Sequence, residues 1–168
     1  MDTVFLAKIK PNAKIPTKRD EDGCYDLYAC FDEDDMVILP NKVKLVPTGL
    51  SSAFDPKYRI AFRERGTNTR CGLVVMAGQI DSGYRGEWFV ALLNTSNKPI
   101  VISKEVDDIV HSKSYNIVDA ETYFPYSKAI CQFAVEDVPK VEINEIAFDE
   151  LSSYESERMF GKLGSSNK

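Results

Sequence analysis

Ala77-Gly78-Gln79-Ile80-Asp81-Ser82-Gly83-Tyr84-Arg85-Gly86-Glu87 is the densest group of chemically informative residues in the chain. It lies between two runs of β-formers, Leu73 to Met76 and Trp88 to Leu93, and that placement predicts a hairpin. Gly78 and Gly83 flank the segment Gln79 to Ser82, where the missing β-carbons let backbone amides and carbonyls approach a flat ligand closely. An ordinary glycine-rich turn has the same composition, and taken alone the run supports the two readings about equally.

The rest of the chain reads as the scaffold for that hairpin. With 168 residues and 43% apolar residues, one domain with a real core is expected. Short runs of Val, Ile, Phe and Tyr, broken by Pro, Gly, Asn and Asp, give a β pattern. Strands are predicted at 4–8, 36–39, 42–46, 58–65, 73–76, 88–93, 100–102, 130–135 and 141–143. So many short strands imply an all-β, jelly-roll-like double-sheet barrel, with at most one short helix near Phe148 to Tyr154. Lys104 to Tyr126 lacks a period and is expected to be a surface insertion; it carries the lone His111, with no second His or Cys nearby to complete a metal site. Asp32 to Asp35 lacks the Gly pivot and distal Glu of a calcium loop and reads as a solvated turn. The expected organisation is a β domain over 1–151 followed by a mobile tail over 152–168, rich in Ser, Gly, Glu and Lys.

Composition narrows the function. A net charge of -5 argues against sequence-independent nucleic-acid binding, so an anionic substrate needs a local cationic or metal site. No run is apolar for long enough to span a membrane, and Met1-Asp2-Thr3-Val4 lacks the order of a signal peptide, from which a cytoplasmic location is expected. Cys24, Cys30, Cys71 and Cys131 form no Cys-x-x-Cys pair and read as reduced packing thiols.

The hairpin run resembles the third motif of the trimeric dUTPase family, Gly-x-Ile-Asp-x-x-Tyr-Arg-Gly. The other motifs appear in order: Gly23 to Ala29 with Asp26 at the acidic position, Arg65-Gly66-Thr67 with Cys71-Gly72-Leu73, Ala129-Ile130-Cys131-Gln132, and Arg158 through Ser166. The resemblance implies hydrolysis of dUTP to dUMP and pyrophosphate, with Mg²⁺ as cofactor and a homotrimer whose active sites draw motifs from three chains. It makes Asp81 the base that orients a water and takes its proton during in-line attack on the α-phosphorus. It lays Tyr84 under the deoxyribose, against a 2′-hydroxyl, and pairs the backbone of Gly78, Gln79 and Ile80 with the uracil edge. Cytosine there would leave buried groups unpaired, at about 1–3 kcal/mol each. Phosphate contacts fall to Arg65, Gln132 and Arg158, to the hydroxyls of Thr67, Ser165 and Ser166, and to the amides of Gly66 and Gly164. Asp26 would reach the metal through water, although a β-turn Asp bonded to backbone is an equally good reading of it.

Three departures stand out. Gly66 occupies the serine position of the second motif, with Thr67 on the opposite face if the stretch is extended. Leu163 replaces the phenylalanine that stacks on uracil, losing on the order of 1 kcal/mol of stacking. Tyr126-Ser127-Lys128 replaces Gly-Asp-Arg before the fourth motif, where the insertion of some phage-type dUTPases contacts other proteins. The tail would act as a lid over bound nucleotide. Two alternatives remain: dCTP deaminase of the same fold, and a nucleotide-binding regulatory protein without turnover.

Overall fold

The computed structural model describes residues 2–107, 117–118 and 121–156. The strands are β1 (Val4–Lys8), β2 (Tyr25–Tyr28), β3 (Asp35–Ile38), β4 (Val43–Pro47), β5 (Leu50–Phe54), β6 (Tyr58–Arg63), β7 (Leu73–Met76), β8 (Gln79–Asp81), β9 (Phe89–Asn94), β10 (Ile100–Ser103), β11 (Ile117–Val118), β12 (Glu121–Pro125) and β13 (Ala129–Asp137). They form four small sheets, in the orders β1-β5, β11-β12-β10-β3, β2-β13-β6-β8 and β4-β9-β7. The architecture is all-β, as the residue pattern predicts.

Local sequence explains most of these elements. In β5 the buried residues alternate, Leu50, Ser52 and Phe54 pointing inward, as a strand with one wet face requires. All four residues of β10 are buried. β13 changes along its length: Ala129, Ile130 and Cys131 are buried in succession, after which burial alternates. The core gathers around Trp88, which is fully buried between Phe62 and Phe133, at ring-centroid distances of 5.9 and 5.5 Å. Its indole N–H donates to Ser52 Oγ at 3.2 Å, so its polar end is satisfied inside the core. The four cysteines are free thiols, with Cys30 and Cys131 buried.

Several expectations are corrected. Val141 to Ile143 forms no strand; Val141 is 73% and Ile143 91% exposed. Its apolar residues have the composition of a strand, but no partner edge holds them. The helix content exceeds the single element expected: besides the 3₁₀ turn Phe148–Ser153, there is a short helix α1 (Gly66–Arg70) and a 3₁₀ turn at Glu105–Asp107. Short polar strands β2 and β8 and the weakly apolar β5 escaped the periodicity reading, because pairing and not composition defines them. The end of the 104–126 stretch is not surface: β12 pairs in parallel with β10, Ile102 opposite Phe124, and Phe124 is fully buried. Asp32 to Asp35 is exposed as expected, Asp32 meeting Lys10 at 2.8 Å.

The chain divides into two units, Met1–Val138 and Pro139–Lys168. All strands belong to the first. In the second, the described residues 139–156 carry exposed Val141, Ile143, Phe148, Leu151 and Tyr154. His111 lies outside the described residues.

Replacing Trp88 with Ala should lower unfolding free energy by about 3–5 kcal/mol, the usual cost of truncating a large core aromatic. Urea unfolding followed by circular dichroism measures it; a loss below about 1 kcal/mol would contradict the packing described here.

Candidate active site

β13 places one end of the site. It pairs with β2 on one side and β6 on the other, so that Asp26, Gln132 and Arg63 stand in one row across three strands. Just after β6 the chain turns into α1, with Arg65 at its N-cap. Arg65 forks onto Asp26, Nε to Oδ1 at 3.0 Å and Nη2 to Oδ2 at 3.2 Å. Its Nη1 donates to the Ala129 carbonyl at 3.5 Å. Gln132 Nε2 donates to the Glu64 carbonyl at 2.9 Å. The three residues line a cleft of about 730 Å³ together with Thr17, Lys18, Arg19, Glu21, Asp22, Gly23 and Cys24.

The cleft lining is charge-balanced, the carboxylates of Glu21, Asp22 and Asp26 standing against three cationic side chains, so it is less acidic than the chain as a whole. Arg65, Lys18 and Arg19 all border it, and the Gln132 amide faces the same space. Lys18 and Arg19 were not singled out from sequence; the adjacent basic pair before Asp20-Glu21-Asp22 was the available signal. Arg19 is engaged with Asp22 at 2.9 Å, and Lys18 lies 5.5 Å from the Tyr25 ring centre. Gly66 and Thr67 lie in the first turn of α1, not in an extended stretch, so the two positions are one helical step apart instead of on opposite faces. A β-carbon at Gly66 would meet no heavy atom within 4 Å, so the position has open space. Among the described residues, no three His, Cys, Asp or Glu side chains converge on a metal position. Asp26 borders the cleft, yet both its oxygens face the Arg65 fork. With both oxygens engaged by Arg65, Asp26 is not poised as a direct metal ligand.

Asn68 escaped the sequence reading, and nothing in its local sequence signals it. It is fully buried in α1, its Nδ2 donating to the Ile130 carbonyl while Oδ1 has no partner. An unpaired buried oxygen of this kind costs about 1–3 kcal/mol.

The hairpin residues assemble a second cluster. Ala77 adopts φ of 47°, turning the chain so that the Gly78 carbonyl accepts from Phe62 N at 2.6 Å. In β8, Ile80 is buried and Gln79 and Asp81 share the opposite, exposed face, as strand alternation dictates. Gln79 Nε2 donates to Asp81 Oδ1 at 2.9 Å. Tyr84 donates its hydroxyl to the Glu87 carbonyl at 2.9 Å and folds over Gly86, where a β-carbon would lie 2.6 Å from Tyr84 Cζ. Gln79, Ile80, Asp81, Tyr84, Glu87 and Phe89 line a small pocket of about 190 Å³.

The two clusters do not meet within one chain. β2 and β8 are the outer strands of the four-stranded sheet, separated by three strand spacings, about 14 Å. Asp81 opposes Arg59, whereas Gln132 beside Asp26 opposes Arg63, an offset along β6 of roughly 13 Å. Together these put Asp26 and Asp81 roughly 19 Å apart. Arg158, Leu163, Gly164, Ser165 and Ser166 lie outside the described residues.

Fold and clusters together define an all-β domain with two separate polar sites, and comparison with known proteins places it in a family. Residues 5–107 match the family model described as dCTP deaminase-like. A deoxyuridine 5′-triphosphate nucleotidohydrolase of Nautilia profundicola is 30% identical over 97% of both chains. One of Leptospira interrogans is 37% identical over 103 residues, 59% of this chain and 70% of its own. Among solved structures, the Staphylococcus bacteriophage 80alpha dUTPase with dUPNHPP superposes with a TM-score of 0.74 over 100% of both chains, at 18% identity. The dUTPase from phage phi11 of S. aureus gives 0.66 over 86% of this chain and 96% of that one, at 17% identity. The chain belongs to the dCTP deaminase-like family, on its deoxyuridine 5′-triphosphate nucleotidohydrolase branch.

Gly86→Ala should preserve the core and drive Tyr84 from its seat, breaking its bond to Glu87. A crystal structure of the variant with Tyr84 unmoved would contradict the packing argument.

Proposed function

We propose that this protein hydrolyses dUTP to dUMP and pyrophosphate. The observation that carries the proposal is the division of the family motifs into an anion-binding cleft and an exposed hairpin carboxylate, together with full-length similarity to a deoxyuridine 5′-triphosphate nucleotidohydrolase. Arg65, Gln132 and the turn at Gly66 and Thr67 bind the phosphate chain, Arg65 exchanging its fork from Asp26 to phosphate oxygens. The backbone from Gly78 to Ile80 reads the uracil edge, and Tyr84 fills the space a 2′-hydroxyl would need. Asp81, exposed and bonded to Gln79, orients a water and accepts its proton. The water oxygen bonds to the α-phosphorus as the bridging bond to the β-phosphate breaks, and pyrophosphate leaves with that electron pair. Mg²⁺, when bound with the nucleotide, supplies positive charge against the phosphate oxygens, and Asp26 would hold its water shell.

Asp81 and Arg65 act on one nucleotide only if different chains supply them, which supports a homotrimer with shared sites. Arg158, Leu163, Gly164, Ser165 and Ser166 complete the phosphate cradle and cover the base in this reading, as a lid formed by residues 152–168. Among the described residues no helix is long and apolar enough to cross a membrane. The cytoplasmic location, the absence of nucleic-acid binding and a protein partner at the 104–126 stretch remain part of the proposal.

Pyrophosphate release with Mg²⁺, offering dUTP, dCTP, dTTP and UTP in parallel, tests the activity. Release from dUTP alone, lost by at least about a hundredfold in Asp81→Asn, is expected of a general base; ammonia from dCTP would instead identify a deaminase. Mixing inactive Asp81→Asn with inactive Arg65→Ala after partial unfolding and refolding should restore part of the activity. No restoration from mixed assemblies would reject the shared site.

A further inference from the structure

We infer that Asn68 is a positioning residue that locks the Arg65 turn onto the strand carrying Gln132, setting the phosphate-binding geometry before any ligand arrives. The inference rests on the proposed phosphate cleft. The Asn68 side chain is fully buried, and its amide spans from α1 to the Ile130 carbonyl on β13. Ile130 lies where the register between β13 and β2 slips, Ala129 opposing Tyr28 and Cys131 opposing Leu27. The residue inside such a bulge has no ladder partner on that side. The pairing of β13 with β6 begins only at Gln132, so neither neighbouring strand has a register partner for Ile130. Asn68 satisfies that carbonyl.

The same residue holds the turn from within. Its backbone N–H donates to the Arg65 carbonyl at 2.9 Å, closing the first turn of α1, and its own carbonyl accepts from Cys71 N at 3.1 Å. Arg65 has no side-chain cap for this five-residue helix, which is too short to persist on its own propensity. Gln132 makes the reciprocal brace, donating to the Glu64 carbonyl immediately before the turn. Asn68 and Gln132 therefore clamp residues 64–68 against β13 from both ends. A branched apolar side chain would leave no unpaired Oδ1, so burial alone does not account for an asparagine here; its donor does.

Asn68→Leu keeps the branched shape, with bulkier methyl groups, and removes the donor. In the intact protein, the variant should bind pyrophosphate about tenfold more weakly, equivalent to ~1.4 kcal/mol, and raise the KM for dUTP by a similar factor with kcat nearly unchanged. Binding of dUMP, which lacks the outer phosphates, should stay within about twofold, a split that general loss of structure would not produce. Unchanged pyrophosphate affinity, or equal weakening of pyrophosphate and dUMP, would overturn the inference. Because pyrophosphate binding is read without turnover, failure of the wild-type protein to hydrolyse dUTP would sink the proposed activity separately. Should Asn68→Leu not fold, hydrogen exchange on the wild-type protein decides: slow exchange at the Asn68 and Cys71 amides without ligand is expected, and exchange at the rate of an open loop would overturn the proposal.

Discussion

The double pairing of β13 is the constraint on which the cleft depends. One strand hydrogen-bonds β2 through one edge and β6 through the other, and this brings Asp26, Gln132 and the end of β6 into one row. A regular strand would spend its carbonyls on its neighbours. The register slip around Ile130 interrupts that ladder just before Gln132, and the carbonyls of Ala129 and Ile130 accept from Arg65 and Asn68. An irregularity of one residue thus becomes the seat of a short helix that has little stability of its own. The helix in turn fixes Arg65 at the edge of the cleft.

The ion pair at the cleft is well oriented but only weakly stabilising. The Arg65–Asp26 fork is bidentate, which fixes the guanidinium plane. Both side chains are about a third exposed, 27% and 33%, so solvent screens the pair and its net worth is on the order of 1 kcal/mol or less. Arg65 can therefore leave the pair at small cost, while the fork limits the rotamers it samples.

The hairpin is organised independently of the cleft. Glu87 accepts from Gly49 N at 2.8 Å, and Arg85 Nη1 donates to the carbonyls of Ser52 and Ser82 at 3.2 and 2.5 Å, so the loop is tied to β5 and to itself. Its Asp81 and Gln79 point away from the buried side of the sheet that Ile80 joins. The hairpin carboxylate of Asp81 is exposed and stands far from the Arg65 cleft within one chain. Burial on one face of β8 and presentation on the other are consequences of the same strand alternation.

The order and composition of the motifs, the β class and most strand positions were legible in the sequence, because apolar alternation and glycine placement are local properties. Asp81, Tyr84, Arg65, Gln132 and Asp26 could be named through the resemblance of their motifs to those of the dUTPase family. What the chain alone did not reveal was pairing. Gly66 and Thr67 looked extended until α1 appeared; Val141 to Ile143 has strand composition without an edge to join; Phe124 sits in a stretch with no period yet is buried beside β10. Asn68 was invisible because its role comes from a carbonyl many residues away, exposed by a register slip that no local pattern encodes. Composition and motif spacing determined which chemistry the chain carries; hydrogen-bond register, a long-range property, decided which of those residues stand together and which must work apart.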